Sequence, residues 1–253
     1  MGRYHIHRSY ELFYLFSGER GFFIKDRVYP IRAGDLVLID SNEVHRSIDM
    51  GVPNHDRVVL YYDPSFFEKY YPDEASCLTA PFKGSQVIRL SMKDRLKIEA
   101  MFREFFRELG DALPGYDLRL RHIAAEMLLQ ISRMSSRNKS TVTNVTGTVK
   151  KTIQEVVRYI EQHYGEKLRL EEMAQQFYIS PGYLSRSFKE VTGFSLTDYL
   201  NMVRIREAQR LLRETELSIT EIAERVGFDN YSHFGKMFKR ITSVAPRDYR
   251  RQD

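Results

Sequence analysis

The sequence predicts an α+β protein: a small β-barrel with two amphipathic helices, then an all-α unit carrying two helix-turn-helix motifs. Three observations carry this prediction. Near the start, short β-rich runs alternate with turn residues. From residue 91 the apolar spacing becomes helical. After residue 149 one arrangement of capped helices occurs twice.

The strands come first. Residues 11–17 (ELFYLFS), 21–25, 35–40 and 57–62 are rich in aromatic and branched side chains. Gly18, Asp26-Arg27, Ala33-Gly34 and Ser41-Asn42 supply the breaks. Several short strands at this spacing suggest a small antiparallel barrel or sandwich. Phe13 and Leu15 share strand parity with Glu11, which marks that face as core first and pocket second.

The two helices lie between residues 91 and 134. Leu96, Ile98, Met101, Phe102, Phe105, Phe106 and Leu109 make one apolar stripe. Leu118, Leu120, Ile123, Ala124, Met127, Leu128 and Ile131 make another. Packing inside the chain accounts for part of each stripe, and a contact with a second copy suits the remainder. Residues 135–148 (SSRNKSTVTNVTGT) lack large apolar groups to offset their ordering entropy, so they read as a flexible linker. The expected domains are therefore 1–134, a 135–148 linker, and 149–253.

Composition bounds the function. The 253 residues are 42% hydrophobic and 29% charged, as in globular domains rather than disordered chains. A net charge of +5 permits a polyanionic partner without requiring one. The single cysteine, Cys77, allows no intramolecular disulfide and suits a reducing cytoplasm. No run has the length of a signal peptide core or a membrane span, so no membrane partner is expected.

The C-terminal half repeats itself. Residues 149–164 form an amphipathic helix ended by Gly165. A short helix over 170–177 and a tight turn lead to Ser180-Pro181, a cap followed by a favoured first helical residue. The next helix runs to Thr192 and stops at Gly193. It buries Leu184, Phe188 and Val191 and turns Gly182, Ser185, Arg186 and Lys189 outward. Ser195-Leu-Thr-Asp198 then opens a long helix to about residue 214, and Ser218-Ile-Thr-Glu221 opens a second short one. Asn230 caps a last long helix over 231–241, burying Phe234, Phe238 and Ile241. YLSRSFK (183–189) and HFGKMFK (233–239) show the duplication.

Each pair has the form of a helix-turn-helix, whose second helix reads DNA. Arg and Lys can bond guanine edges or phosphates, and a helix N-terminus favours phosphate. Gly182 and Gly235 inside these helices cost about 0.5–1 kcal/mol each relative to Ala. Close approach of a DNA backbone would explain that cost, and so would tight helix–helix packing. A connecting helix of roughly 18 residues spans about 27 Å. Two readers on such a rod could reach successive major-groove turns about 34 Å apart.

These residues resemble the AraC/XylS family of bacterial transcription regulators. The resemblance is carried by ITEIAERVGF (219–228), YSHFGKMFK (231–239) and PRDYR (246–250), and extends over about 150–251. It implies base contacts by Gly182, Ser185 and Arg186 of the first reader and by Tyr231, Ser232, Gly235 and Lys236 of the second. With Pro181, Lys189 and Lys239 these form the candidate DNA-binding set. Two departures stand out: Ser243 replaces the usual Gly, and Arg169 replaces the usual Ser or Thr cap.

Such regulators carry an effector-binding barrel, and the N-terminal half is similar to a cupin. His5, His7, Glu11 and Gly18, then Gly34 and His45, match the spacing of the cupin metal motifs, although Asp40 and Asn42 replace the usual Pro and Gly. His5, His7 and Glu11 share strand parity, and with His45 they would suit Zn, Fe, Ni or Mn. Metal ligation, polar lining of a small-molecule pocket and a structural role all remain open. His5, His7, Glu11 and His45 are taken as effector-binding, with no metal, cofactor or catalytic residue assigned. His5 lies four residues from Met1, so either the barrel is trimmed or the start lies upstream.

The expected function is sequence-specific regulation of transcription. A small effector, a sugar or related metabolite, would control how the readers are placed. Expected partners are double-stranded DNA, the effector, a second copy of the chain, and RNA polymerase if the regulator activates. The competing reading is a metal-dependent cupin enzyme fused to a helical module. No Ser-His-Asp set or phosphate loop stands beside the histidines to support catalysis.

Overall fold

A computed structural model describes residues 6–51, 54–137 and 148–251. Seven strands come first among the described residues: β1 (Tyr10–Ser17), β2 (Glu19–Ile24), β3 (Arg27–Arg32), β4 (Asp35–Ile39), β5 (His45–Ile48), β6 (Asp56–Tyr62) and β7 (Gln86–Arg89). They form a four-stranded sheet, β6-β1-β4-β7, and a three-stranded sheet, β3-β2-β5, antiparallel throughout.

The expected barrel is corrected here. Among the described residues no strand belongs to both sheets, so the two stay open rather than closing into a barrel. The chain changes sheet at tight turns instead of through bent strands. Those turns sit at Gly18 (φ +86°), Gly34 (φ +92°) and Asn42 (φ +59°), in the left-handed region. β3 and β7 were not anticipated, and β5 was expected only as a later strand carrying His45. Each is short or flanked by polar residues, and β7 is anchored by a pair whose partners lie far apart in sequence. Arg89 there donates to both oxygens of the buried Asp35 carboxylate, at 3.0 and 2.8 Å.

Alternation along β1 explains the layering. Phe13 and Leu15 point between the sheets, where they meet Phe22, Ile24, Ile31, Val37, Ile39 and Val87. Leu12 and Tyr14 point the other way, into a helical layer. That layer holds α1 (Pro64–Tyr70), α2 (Ala75–Thr79), a 3-10 turn at Ala80–Phe82, α3 (Met92–Asp111) and α4 (Tyr116–Arg137). Ile98, Phe102, Met127, Leu128 and Ile131 are buried there, while Leu96, Phe106, Leu109 and Leu118 are exposed. Intramolecular packing thus uses only part of each helical stripe.

The C-terminal unit comprises α5 (Thr148–His163), α6 (Leu170–Gln176), α7 (Pro181–Thr192), α8 (Leu196–Glu214), α9 (Ile219–Arg225), α10 (Tyr231–Thr242) and α11 (Pro246–Arg250). Its core also takes in Phe23, Val28 and Val44 from the N-terminal half, so the outer face of the three-stranded sheet packs against helices. No helix among the described residues is long and apolar enough to cross a membrane.

Candidate DNA-reading surface and ligand cluster

The two helix pairs, α6–α7 and α9–α10, are built alike down to single hydrogen bonds. Ser180 accepts from the Tyr183 amide at 3.3 Å to cap α7, and Asn230 accepts from the His233 amide at 2.9 Å to cap α10. At the other ends, the Thr192 hydroxyl donates to the Phe188 carbonyl and the Thr242 hydroxyl to the Phe238 carbonyl. Gly193 and Ser243 follow in the left-handed conformation, at φ +78° and +69°, donating to the Lys189 and Lys239 carbonyls. Ser218 and Glu221 complete a reciprocal capping box on α9. Arg169 provides no side-chain cap to α6.

The outward faces match in turn. Pro181, Gly182, Ser185, Arg186 and Lys189 are exposed along α7, while Leu184 and Phe188 are buried. Tyr231, Ser232, Lys236 and Lys239 are exposed along α10 and Gly235 is half-buried, opposite Phe234 and Phe238. A Cβ added at Gly182 or Gly235 would meet nothing within 4 Å. Packing against a neighbouring helix therefore explains neither glycine. Gly227 differs: its φ is +89°, and a Cβ there would lie 2.9 Å from the Gly165 and Tyr164 carbonyl oxygens.

In the N-terminal half His5 lies outside the described residues, and the other three candidates meet. Glu11 comes from the four-stranded sheet and His45 from the three-stranded sheet, and both are buried. Glu11 Oε2 lies 3.0 Å from His45 Nε2 and 3.0 Å from His7 Nε2. His7 sits ahead of β1 rather than within it. Each Nδ1 lies 2.8 Å from a backbone carbonyl, of Ser9 for His7 and of Glu43 for His45, so each Nδ1 carries a hydrogen. Each Nε2 then donates to the carboxylate only as an imidazolium, or both face a shared cation. The three donor atoms lie within 4.8 Å of one another, a nitrogen and carboxylate set that borderline transition metals accept. Burial pushes the Glu11 carboxyl up, but the hydrogen bonds from His45 and His7 outweigh it and hold the group down at about 2.

Sequence reasoning missed the groups around this cluster. Tyr61 faces Glu11 across the β1–β6 register and packs edge-on against His7, ring centroids 5.0 Å apart. Its hydroxyl is pushed up to about 12 by burial and by the Glu11 charge. Only the strand register, unknown from one sequence, could have found it. Likewise missed was an ionic group joining the two halves. Arg206 on α8 pairs with Glu161 on α5 and lies 3.8 Å from Glu43, just before β5. The Tyr199 hydroxyl donates to Glu161 at 2.6 Å. Burial raises the Glu43 carboxyl, against the pull of Arg206 and Lys25.

Comparison with known proteins places these features. Residues 1–128 match the family described as AraC-like ligand binding domain, and residues 173–252 match the helix-turn-helix domain family. The chain is 28% identical to the uncharacterized HTH-type transcriptional regulator YdiP of Escherichia coli strain K12, over 98% of this chain and 81% of that protein. It is 24% identical to the uncharacterized HTH-type transcriptional regulator YisR of Bacillus subtilis strain 168, over 99% of this chain and 89% of that protein. Among solved structures, the C-terminal domain of AraT, a response regulator from Geobacillus stearothermophilus, is similar at 38% identity. That likeness covers 42% of this chain and 89% of that one, with a TM-score of 0.41. The relatives are transcription regulators and not enzymes, which sets aside the cupin-enzyme reading.

Proposed function

The chain belongs to the AraC family of DNA-binding transcription regulators, with a ligand-binding domain ahead of its helix-turn-helix domain, and from that premise we propose which residues read DNA and what governs the reading. Pro181, Gly182, Ser185, Arg186 and Lys189 form the first reader. Tyr231, Ser232, Gly235, Lys236 and Lys239 form the second. Arg186 and Lys236 supply the central polar contacts to base edges or phosphates, and the bare glycines let the groove wall approach. The observation that carries this reading is the open space over both Gly182 and Gly235, on faces that repeat one another.

The effector is a small polar molecule, a sugar or related metabolite, and His7, Glu11 and His45 contact it, with His5 ahead of them in the chain. Domains run 1–134 and 149–253, joined by a 135–148 linker whose ends fall in α4 and α5 and whose residues 138–147 lie outside those described. Two chains pair through the exposed parts of the α3 and α4 stripes, Leu96, Phe106, Leu109 and Leu118. The dimer works in the cytoplasm, and RNA polymerase is a further partner where it activates. The ligand acts by binding one arrangement of the readers better than another.

The test is Arg186→Ala against an operator selected from random duplexes by the full chain. The expected loss is about 1–3 kcal/mol of specific binding, as for a base-reading contact. Unchanged affinity removes Arg186 from the reader. A thermal-shift series with free sugars tests the effector class, since a ligand bound only by the folded state raises Tm with concentration.

A further inference from the structure

We propose that β5 is the strand through which the ligand cluster positions the first reader, with Arg46 as the positioning residue. The inference rests on the reading of α7 as a DNA reader and of His45 as a ligand contact. Consecutive strand residues point to opposite faces. His45 points inward, where its Nε2 meets Glu11. Arg46, the next residue, points outward to the C-terminal unit. Its guanidinium donates to the Gly193 carbonyl and lies 5.1 Å from the centre of the Phe194 ring.

Gly193 is the C-cap of α7, so the far end of the first reader is held by a side chain of the ligand-binding half. Glycine suits this position for two reasons. The residue has φ +78°, and a Cβ would come within 2.6 Å of the Arg46 Cδ. Arg46 makes this contact at the first reader alone among the described residues. The equivalent cap of the second reader is Ser243, beside a cavity of about 210 Å³ lined also by Ile6, His7 and Arg8. The two readers are therefore held differently, although their own hydrogen bonds are duplicated.

A second strut starts just ahead of the same strand. The Glu43 carbonyl accepts from His45 Nδ1, while the Glu43 carboxylate meets Lys25 at 3.5 Å and Arg206 at 3.8 Å. Arg206 belongs to α8, the helix that joins the two readers. A ligand that inserts between Glu11 and His45 displaces His45 or its carbonyl partner. His45 and Arg46 are joined by one planar peptide unit, so a displacement of the β5 backbone at the first also moves the second. The Gly193 contact then tilts α7. The coupling is reciprocal: DNA held by α7 changes the affinity of the cluster for its ligand by the same factor.

A double-mutant cycle on the full chain tests this without the ligand in hand. His45→Gln disturbs the cluster, and Arg46→Met removes the clamp while keeping apolar bulk. Affinity for the selected operator is measured by titration, and each half-site by hydroxyl-radical footprinting. Arg46→Met is expected to change binding at the α7 half-site at least fivefold and leave the α10 half-site within twofold. His45→Gln is expected to change the α7 half-site in the parent chain but not in the Arg46→Met background, whereas Arg46→Lys retains a donor and part of the effect. Additive effects of the two substitutions overturn the proposal, as do equal changes at both half-sites. Circular dichroism checks folding, and His45→Asn replaces any His45→Gln protein that fails it. If Arg186→Ala leaves the α7 half-site intact, the reader assignment itself has failed. If Arg186→Ala abolishes it while the cycle is additive, only the transmission through β5 has failed.

Discussion

At Gly193 and Ser243 the same backbone conformation is occupied by two different residues, and the difference has a measurable consequence. A residue with a Cβ in the left-handed region costs about 1–2 kcal/mol, a cost glycine avoids. Ser243→Gly is therefore expected to stabilise the chain by about 1 kcal/mol, read as a higher denaturant midpoint with unchanged slope. No change would show that local hydrogen bonding already relieves the strain. Arg169 is a milder case, since it sits at a helix start without a side-chain cap. Arg169→Ser should add about 0.5–1 kcal/mol by satisfying an amide of α6. Gly227 allows no such freedom. Its Cβ space is filled by backbone carbonyls, so Gly227→Ala should cost several kcal/mol and lower Tm sharply. The bare surfaces over Gly182 and Gly235 make the opposite forecast for stability. Alanine there should leave folding intact or improve it by about 0.5–1 kcal/mol while weakening DNA binding.

Elements differ in how far they could be read in advance. The helices of the C-terminal unit were legible because periodicity and caps are local: Ser180, Ser195, Ser218 and Asn230 each accept from an amide three residues on. The long apolar strands β1 and β4 were legible for the same reason. β5 was not, because HRSI has no apolar alternation, and its residues are placed by partners on both sides rather than by their own pattern. The α3 and α4 stripes were recognised, but only the structure shows which members stay exposed. Phe106 is 45% exposed and Leu109 50%, with the Phe106 ring resting on Phe102 and Phe105 of its own helix. Phe106→Glu should therefore shift the full chain from dimer to monomer in light scattering without loss of helicity. A parent chain that is monomeric at all concentrations removes this surface from the assembly.

Across the whole molecule the two halves are joined by packing and by charge. Phe23, Val28 and Val44 enter the helical core, and Arg206 lies between Glu161 and Glu43. Removing the cation leaves two carboxylates facing each other at reduced solvation. A fully buried pair broken in this way costs about 3–5 kcal/mol. The Arg206 side chain keeps 21% of its exposure, so Arg206→Met should cost less, about 2–3 kcal/mol. Calorimetry should show the single transition of joined halves giving way to two, and one cooperative transition in the variant would mean that the apolar contacts suffice.

Two helix-turn-helix pairs, their caps and their outward residues were legible in the chain itself, because each depends on spacings of three or four residues along one helix. The sequence also brought forward His7, Glu11 and His45 as candidates. Tertiary structure alone decided that the strands split into two open sheets, that Glu11 meets a histidine 34 residues away, and that Arg46 reaches a glycine 147 residues further on. Such contacts depend on the path of the chain between distant elements, and local patterns of apolar and polar residues do not encode that path.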